Sequence, residues 1–318
     1  MAVGVISHLP NPSFEDVRRL ARAAEAAGAD WLGLPDAFWW RDTWLLLAEA
    51  ARASQRIQLG PLVTNPYLRH PFQTVAALAS LQDLAGPRVF VGIGAGGSEV
   101  PGAARVSRRD APERVRALAG LIRRVAAGEA LDVTSGRTLE VPLVARPPIV
   151  VAGRADGILR TAGHAADRAL LWAVPRSELE RSADVITSAA SACRDTDPPR
   201  PELIWAPLVD HGGRSRDRVR TIAAYSVLNS RPAAQARWGL NEPATLDRLR
   251  KLLVGGGAAA ARELVPPAAL DDLIISADPV QVGQVARAIG ATSLAVPAFD
   301  TDEVGERVAW AREVLRAR

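Results

Sequence analysis

The chain has 318 residues, 48% of them hydrophobic, and a formal net charge of +4. That is enough apolar material for one large core or two modest ones. The cations are nearly all Arg, Lys251 being the only lysine. They alternate with acids along helices (Arg18, Arg19 and Arg22 with Glu15, Asp16 and Glu25), which argues against a nucleic-acid surface. The single cysteine, Cys193, excludes an intrachain disulfide and a Cys-based metal cluster. It lies in a helical Ala/Ser stretch and is expected to be a structural thiol. No signal-like segment or membrane-length apolar run occurs, so a cytoplasmic enzyme is the expectation.

Strands and helices alternate from the start. Val3 to Ser7 is a predicted strand, followed by a helix from Ser13 to Ala27. Ser13 and Asp16 have capping-box spacing, and Gly28 ends the helix. Trp31 to Leu34 is the second strand, followed by a helix from Asp42 to Ala53. Leu59 to Val63 is the third; Thr64-Asn65-Pro66 stops it. Pro71 to Leu84 has helical spacing, with Pro in the first turn where a missing N–H costs nothing. Val89 to Ile93 is the fourth strand and empties into Gly94-Ala95-Gly96-Gly97. Further on come a helix from Ala111 to Ala127, strands at Ile149–Ala152 and Ala169–Trp172, each with a helix, and a seventh strand over Leu203–Val209. Ser293 to Val296 is the eighth, and Val304 to Arg318 is a closing helix.

Eight βα repeats predict an α/β fold, a (β/α)8 TIM barrel forming one domain over residues 1–318. An open doubly wound sheet is disfavoured, because no GxGxxG follows the first strand. Extra chain lies after strand four (Gly97 to Asp110) and between strands seven and eight (about 212–278). The second insertion is mostly helical, with a hinge at Gly255-Gly256-Gly257. Both are placed over the barrel top, able to close on a ligand.

A parallel α/β fold builds its site at the C-terminal ends of its strands. Leu62, Val63, Thr64 and Asn65 sit there after strand three, and Gly94, Gly96 and Gly97 after strand four. Ala152, Gly153 and Arg154 follow strand five and feed a helix N-terminus, which binds phosphate through free N–H groups and the dipole. Bare glycine backbone lets a flat ring or phosphate approach closely; ordinary tight turns would look the same. Candidate proton carriers are His8 and Asp36, and His211 lies at the end of strand seven. His70 and His164 are expected to be structural. Trp39, Trp40, Trp44, Trp172 and Trp205 lie near strand tops; Trp39, Trp40 and Trp172, together with His211, are expected to line a flat apolar substrate pocket.

The run Thr64-Asn65-Pro66-Tyr67-Leu68-Arg69-His70-Pro71, the turn Asp83 to Arg88 and the strand end Gly92-Ile93-Gly94-Ala95-Gly96 carry a family resemblance. Together they resemble the luciferase-like superfamily, in particular its deazaflavin-dependent branch typified by methylene-tetrahydromethanopterin reductase. The resemblance implies coenzyme F420 as cofactor, with hydride transfer to a C=N, C=C or C=O group. It also implies that the strand-five loop holds the cofactor phosphate, so Gly153→Asp should abolish cofactor binding in a folded barrel. It further implies a non-prolyl cis peptide at Leu62-Val63 and a homodimer through early helices. Ala21, Ala24, Ala48, Ala51, Ala76 and Ala77 would permit close helix approach. An FMN-dependent monooxygenase is the alternative, and a non-catalytic binding protein a third reading. Three positions depart from the family pattern. Asp36-Ala37 stands where relatives carry Asp-His. Ile6-Ser7-His8 stands where reductases carry a Glu. The acid after the strand-four glycines is displaced to Glu99. His8 could stand in as the acid, with a pH limb near neutrality, and an ordinary structural histidine at a strand end would look the same.

Overall fold

A computed structural model of the chain describes residues 2–97, 107–134, 136–192 and 200–317. Cys193 and Glu99 lie outside them. Eight parallel strands form the central sheet, in the order β3-β2-β1-β12-β9-β8-β7-β4. They are β1 (Ala2–Ser7), β2 (Trp31–Leu34), β3 (Gln58–Pro61), β4 (Val91–Gly94), β7 (Ile149–Ala152), β8 (Arg168–Trp172), β9 (Glu202–Ala206) and β12 (Ser293–Ala298). The edges meet through parallel bridges at Leu59–Val89 and Thr64–Ile93. Three backbone bonds flank the join: Phe90 N to Leu59 O, Thr64 N to Gly92 O and Gly94 N to Thr64 O, each 2.9 Å. The result is the predicted (β/α)8 barrel, with the β3–β4 ladder interrupted between Pro61 and Thr64.

Strand parity divides the apolar residues in two. Ile6, Trp31, Leu62, Phe90, Val150, Leu170 and Ile204 meet one another inside the barrel. Val3, Val5, Leu32, Leu59, Val91, Ile149 and Val151 face outward onto the helices. Those helices are α1 (Phe14–Ala26), α2 (Thr43–Ala53), α3 (Pro71–Ala85), α4 (Ala111–Ala126), α5 (Asp156–Ala165) and α6 (Arg176–Ala192), with α12 (Pro279–Ala288) and α13 (Val304–Arg316) completing the ring. Each start has a local cause. Ser13 and Asp16 form the capping box of α1, and the Asp42 carboxylate caps α2. His70 Nδ1 accepts from Phe72 N at 3.3 Å and so caps the start of α3. Among the described residues, no helix is long and apolar enough to cross a membrane.

Two sequence expectations need correction. The seventh strand does not run unbroken to Val209. Pro207 lacks an N–H and ends the ladder, and β10 (Leu208–Asp210) leaves the barrel to pair with β11 (Ile274–Ser276). A small hairpin, β5 (Asp132–Thr134) with β6 (Arg137–Thr138), was not anticipated. The proposed dimer face also changes. Ala21, Ala24 and Ala51 are buried within the chain, where they let neighbouring helices approach. Only Ala48, Ala76 and Ala77 remain part-exposed.

The second insertion holds α7 (Arg216–Leu228), α8 (Pro232–Arg237), α9 (Pro243–Val254), α10 (Ala258–Glu263) and α11 (Pro267–Leu273). Gly255 to Gly257 make the tight turn between α9 and α10, Gly256 having φ +81°. The insertion has its own core around Val219, Ala223, Val227, Trp238, Leu249 and Leu253, which also takes in Ala173, Leu208 and Phe299 from the strand ends. This seats it on the C-terminal face of the barrel. Polar latches add to the seat: Glu178 pairs with Arg231 at 2.8 Å and Arg237 at 2.5 Å. Asp272 accepts from Ser177 N at 2.9 Å and Trp238 Nε1 at 3.0 Å. Burial pushes the Glu178 carboxyl up, but the two arginines outweigh it and hold it below its ordinary range.

Candidate active site

A cavity of about 700 Å³ opens between the C-terminal ends of β4, β7 and β8 and the inner face of α7. Val63, Gly94, Gly96, Gly97, Ala152, Gly153, Arg154 and Trp172 line it, as the sequence suggested. So do Arg108, Ala155, Tyr225, Ser226, Asn229 and Ser230, which sequence reasoning missed. The available signal was the spacing of Ser226, Asn229 and Ser230, which share one helical face in an otherwise apolar run.

The anion end is built on α5. Ala155 is its N-cap and has no side-chain cap of its own. Ile158 N and Leu159 N both return to Ala155 O, at 2.9 and 3.0 Å. The first two N–H groups of the helix are therefore open to a ligand. Asp156, the first helical residue, is drawn away by Arg181 at 2.5 Å and Arg231 at 3.8 Å. Arg154 points into the wall. Its Nε donates to Trp172 O at 3.1 Å, and its Nη atoms donate to Ser226 O and Ser226 Oγ, each at 3.2 Å. Those bonds use three of five donors. Burial lowers its pKa to about 10, so it stays a cation at neutral pH. Among the described residues no carboxylate pairs with it. A desolvated cation beside open helix N–H groups fits a phosphate.

The glycines serve different purposes. A Cβ on Gly94 would lie 2.7 Å from Val63 Cγ2, so glycine there makes room for the segment after β3. A Cβ on Gly153 would lie 2.3 Å from Ile158 Cγ2. Gly153 is thus demanded by helix packing, and Gly153→Asp would disturb α5 as well as the ligand. The peptide between Leu62 and Val63 is cis. Leu62 itself is buried inside the barrel, away from the cavity wall. Asn65 is buried too; its Oδ1 accepts from Tyr67 N at 3.1 Å and Leu68 N at 3.2 Å, which makes it a turn residue.

At the mouth, Thr64 Oγ1 donates to Asp36 Oδ2 at 2.7 Å. Burial raises the Asp36 pKa above the ordinary carboxylate range, and the Thr64 bond offsets part of that rise. His8 shares strand parity with Ile6 and therefore points inward. Its ring stacks on Trp172 with centroids 4.9 Å apart and lies 5.5 Å from Phe299. Its Nε2 is sealed and, among the described residues, without a partner. Burial pushes its pKa down to about 4. Burial thus works against the acid limb expected near neutrality, because at pH 7 it favours the neutral imidazole over the imidazolium.

This shift has a stability consequence. The unfolded histidine titrates near 6.5, and the fold favours the neutral ring. Its contribution is complete above pH 6.5 and is lost as pH falls toward 4, by about 3 kcal/mol. Urea midpoints at pH 7 and pH 4 should show that loss in the wild type and a smaller one in His8→Phe. Equal losses would contradict it.

Three pocket candidates are not brought to the cavity wall. Trp39 is 52% exposed and packs edge-on against Phe38 and Trp40 in the loop after β2. His211 packs edge-on against Trp310 of the outer helix α13, 4.7 Å between centroids. Trp44 and Trp205 are buried in the layer between barrel and helices.

Residues 1–293 match the sequence family described as luciferase-like monooxygenase. The chain belongs to that family. It is an enzyme of the luciferase-like type. It is 25% identical over 246 residues to 5,10-methylenetetrahydromethanopterin reductase of Archaeoglobus fulgidus, covering 75% of this chain and 74% of that protein. The coenzyme F420-dependent tetrahydromethanopterin reductase from Methanopyrus kandleri superposes with a TM-score of 0.81 over 99% of this chain and 98% of that one, at 18% identity. The oxygenating constituent of 3,6-diketocamphane monooxygenase from Pseudomonas putida, solved with FMN, gives 0.67 at 18% identity, covering 100% and 98%. Those two likenesses speak for the fold.

Proposed function

We propose that this enzyme is a reductase that uses reduced coenzyme F420 to place a hydride on a C=N, C=C or C=O group of a small organic substrate. The observation that carries this reading is the pairing of two features across one barrel mouth. Arg154 and the α5 N-terminus bring a buried cation and open N–H groups to one cavity, which suits an anion, and Asp36, after β2, is a carboxyl that burial pushes upward. A hydride acceptor needs a proton as well, and the upward shift of Asp36 supports it as the donor. The name of the Archaeoglobus relative supports the same class.

The cavity residues fit the cofactor. Arg154, Ala155 and the first N–H groups of α5 would hold its phosphate. Gly94, Gly96, Gly97, Ala152 and Val63 would flank its flat portion, and Asn229 and Ser230 would close from the insertion. Bound and reduced, a deazaflavin supplies a hydride and does not activate oxygen. The chain's own work is to position, to exclude water behind Trp172 and the insertion, and to hold a proton on Asp36. FMN is the second reading, since its phosphate suits the same anion end.

Turnover with reduced F420 is expected under strict anaerobiosis. Substrate-dependent oxygen uptake with reduced FMN, read at an oxygen electrode, would move the enzyme to the monooxygenase class. A homodimer using α2 and α3 near Ala48, Ala76 and Ala77 is proposed as the working form. Light scattering should give twice the chain mass; a clean monomer mass would reject it.

A further inference from the structure

Trp172 occupies an unusual junction. It is the last residue of β8 and lines the cavity, and its ring stacks on the His8 ring, 4.9 Å between centroids at 23°. Its carbonyl accepts from Arg154 Nε at 3.1 Å. The next residue, Ala173, is buried and held at φ +47°, a left-handed conformation that a side-chain-bearing residue rarely adopts. No sequence rule places alanine there; strain of this kind persists where the surroundings over-determine it. Ala173 N is tied to Ala206 O at 3.1 Å and the ladder with β9 ends at this point. The turn that aims the Trp172 carbonyl and ring is thus built against local preference.

Among the described residues His8 has no polar anchor for its side chain. Its Nε2 is unpartnered, and the ring is held by Trp172 on one side and Phe299 on the other. The charged groups behind those neighbours are Arg154, bonded to the Trp172 carbonyl, and Arg218, bonded to the Phe299 carbonyl. The imidazole's place at the mouth therefore depends on where Trp172 sits, and Trp172 is bonded to the cation of the anion end.

We infer that Trp172 is a positioning residue, through which an anion bound at the Arg154 end fixes the His8 ring at the barrel mouth. This rests on the reading of that end as an anion site. An anion taking the remaining Arg154 donors would fix the guanidinium. One hydrogen bond and one ring stack then carry that to the imidazole. An unloaded enzyme would present His8 loosely, and a loaded one in a single orientation.

The test follows the His8 ring signals by ¹H–¹⁵N NMR at constant pH while inorganic phosphate is added, with phosphate affinity measured separately by calorimetry. In the wild type, the His8 signals should shift in step with phosphate saturation. Trp172→Phe, which keeps an aromatic ring, should retain the shift. Trp172→Leu should lose it while phosphate still binds. Ala173→Gly relieves the left-handed strain, so its melting temperature should rise while the His8 shift shrinks. A merely structural role would not separate those two. Phosphate binding with unmoved His8 signals in the wild type, or an undiminished shift in Trp172→Leu and Ala173→Gly, would overturn the inference alone. Absence of phosphate binding to the wild type would overturn the anion site and this inference with it.

Discussion

Replacing Asp36 by Asn is expected to lower kcat by about 10²- to 10⁴-fold, the usual contribution of a general acid. Cofactor affinity should be unchanged, and the fold no less stable. Asp36 is held by burial above the ordinary carboxylate range, with Thr64 its only hydrogen-bond donor among the described side chains. The sign follows from that direction. A carboxyl whose folded pKa is raised contributes its full stability below the unfolded value, near 3.9, and loses it as pH rises through the folded value. Activity should follow the same limb: high where Asp36 is protonated, falling as it ionises. Asn removes the buried charge, so stability near neutral pH should hold or rise while turnover collapses. Thr64→Val takes away a bond that favours the charged form and should move the limb to higher pH. Thermal melts and a pH profile of kcat check both. A fully active Asp36→Asn enzyme would remove Asp36 from the mechanism.

Replacing Ala155 by Asp should weaken cofactor binding about 100-fold, or about 2.7 kcal/mol. It should also make the free protein more stable by about 1 kcal/mol, because α5 gains the N-cap it lacks. Stability and affinity then move in opposite directions, which general damage cannot produce. The magnitude is modest for like charges: at an effective dielectric of about 20 and about 4 Å they repel by about 4 kcal/mol. Ala155→Ser caps the helix without charge and should keep the affinity. The pair is a cleaner probe than Gly153→Asp, whose Cβ would meet Ile158. A cofactor titration of Ala155→Asp matching the wild type would place the phosphate elsewhere.

The barrel was legible where short apolar runs are bounded by Gly and Pro. Trp31–Leu34 and Ile149–Ala152 fall where the pattern puts them, and the capping residues Ser13 and Asp42 mark their helices. The β9–β10 break was legible in principle, since Pro207 interrupts the run, but apolar continuity masked it. The site was legible at the strand ends and illegible elsewhere. Ser226, Asn229 and Ser230 reach the cavity only because the insertion docks on Ala173, Leu208 and Phe299, a contact no local pattern encodes. Burial also separated the two proton candidates. In sequence, His8 looks like a neutral-pH acid and Asp36 like an ordinary carboxylate. Desolvation lowers the pKa of the first and raises that of the second, which is why Asp36 rather than His8 is the proposed acid. Trp39, Trp40 and His211 show the limit of arguing from strand-top position, which says nothing of where a ring turns.

The central claim is that the Arg154 cavity holds coenzyme F420 for oxygen-independent hydride transfer. Absorbance titration of the purified protein with F420 and, separately, with FMN tests it most directly. A saturable spectral change with F420 at one equivalent per chain is expected, weakened in Ala155→Asp, with FMN binding far more weakly. Saturable binding of FMN together with none of F420 would contradict it.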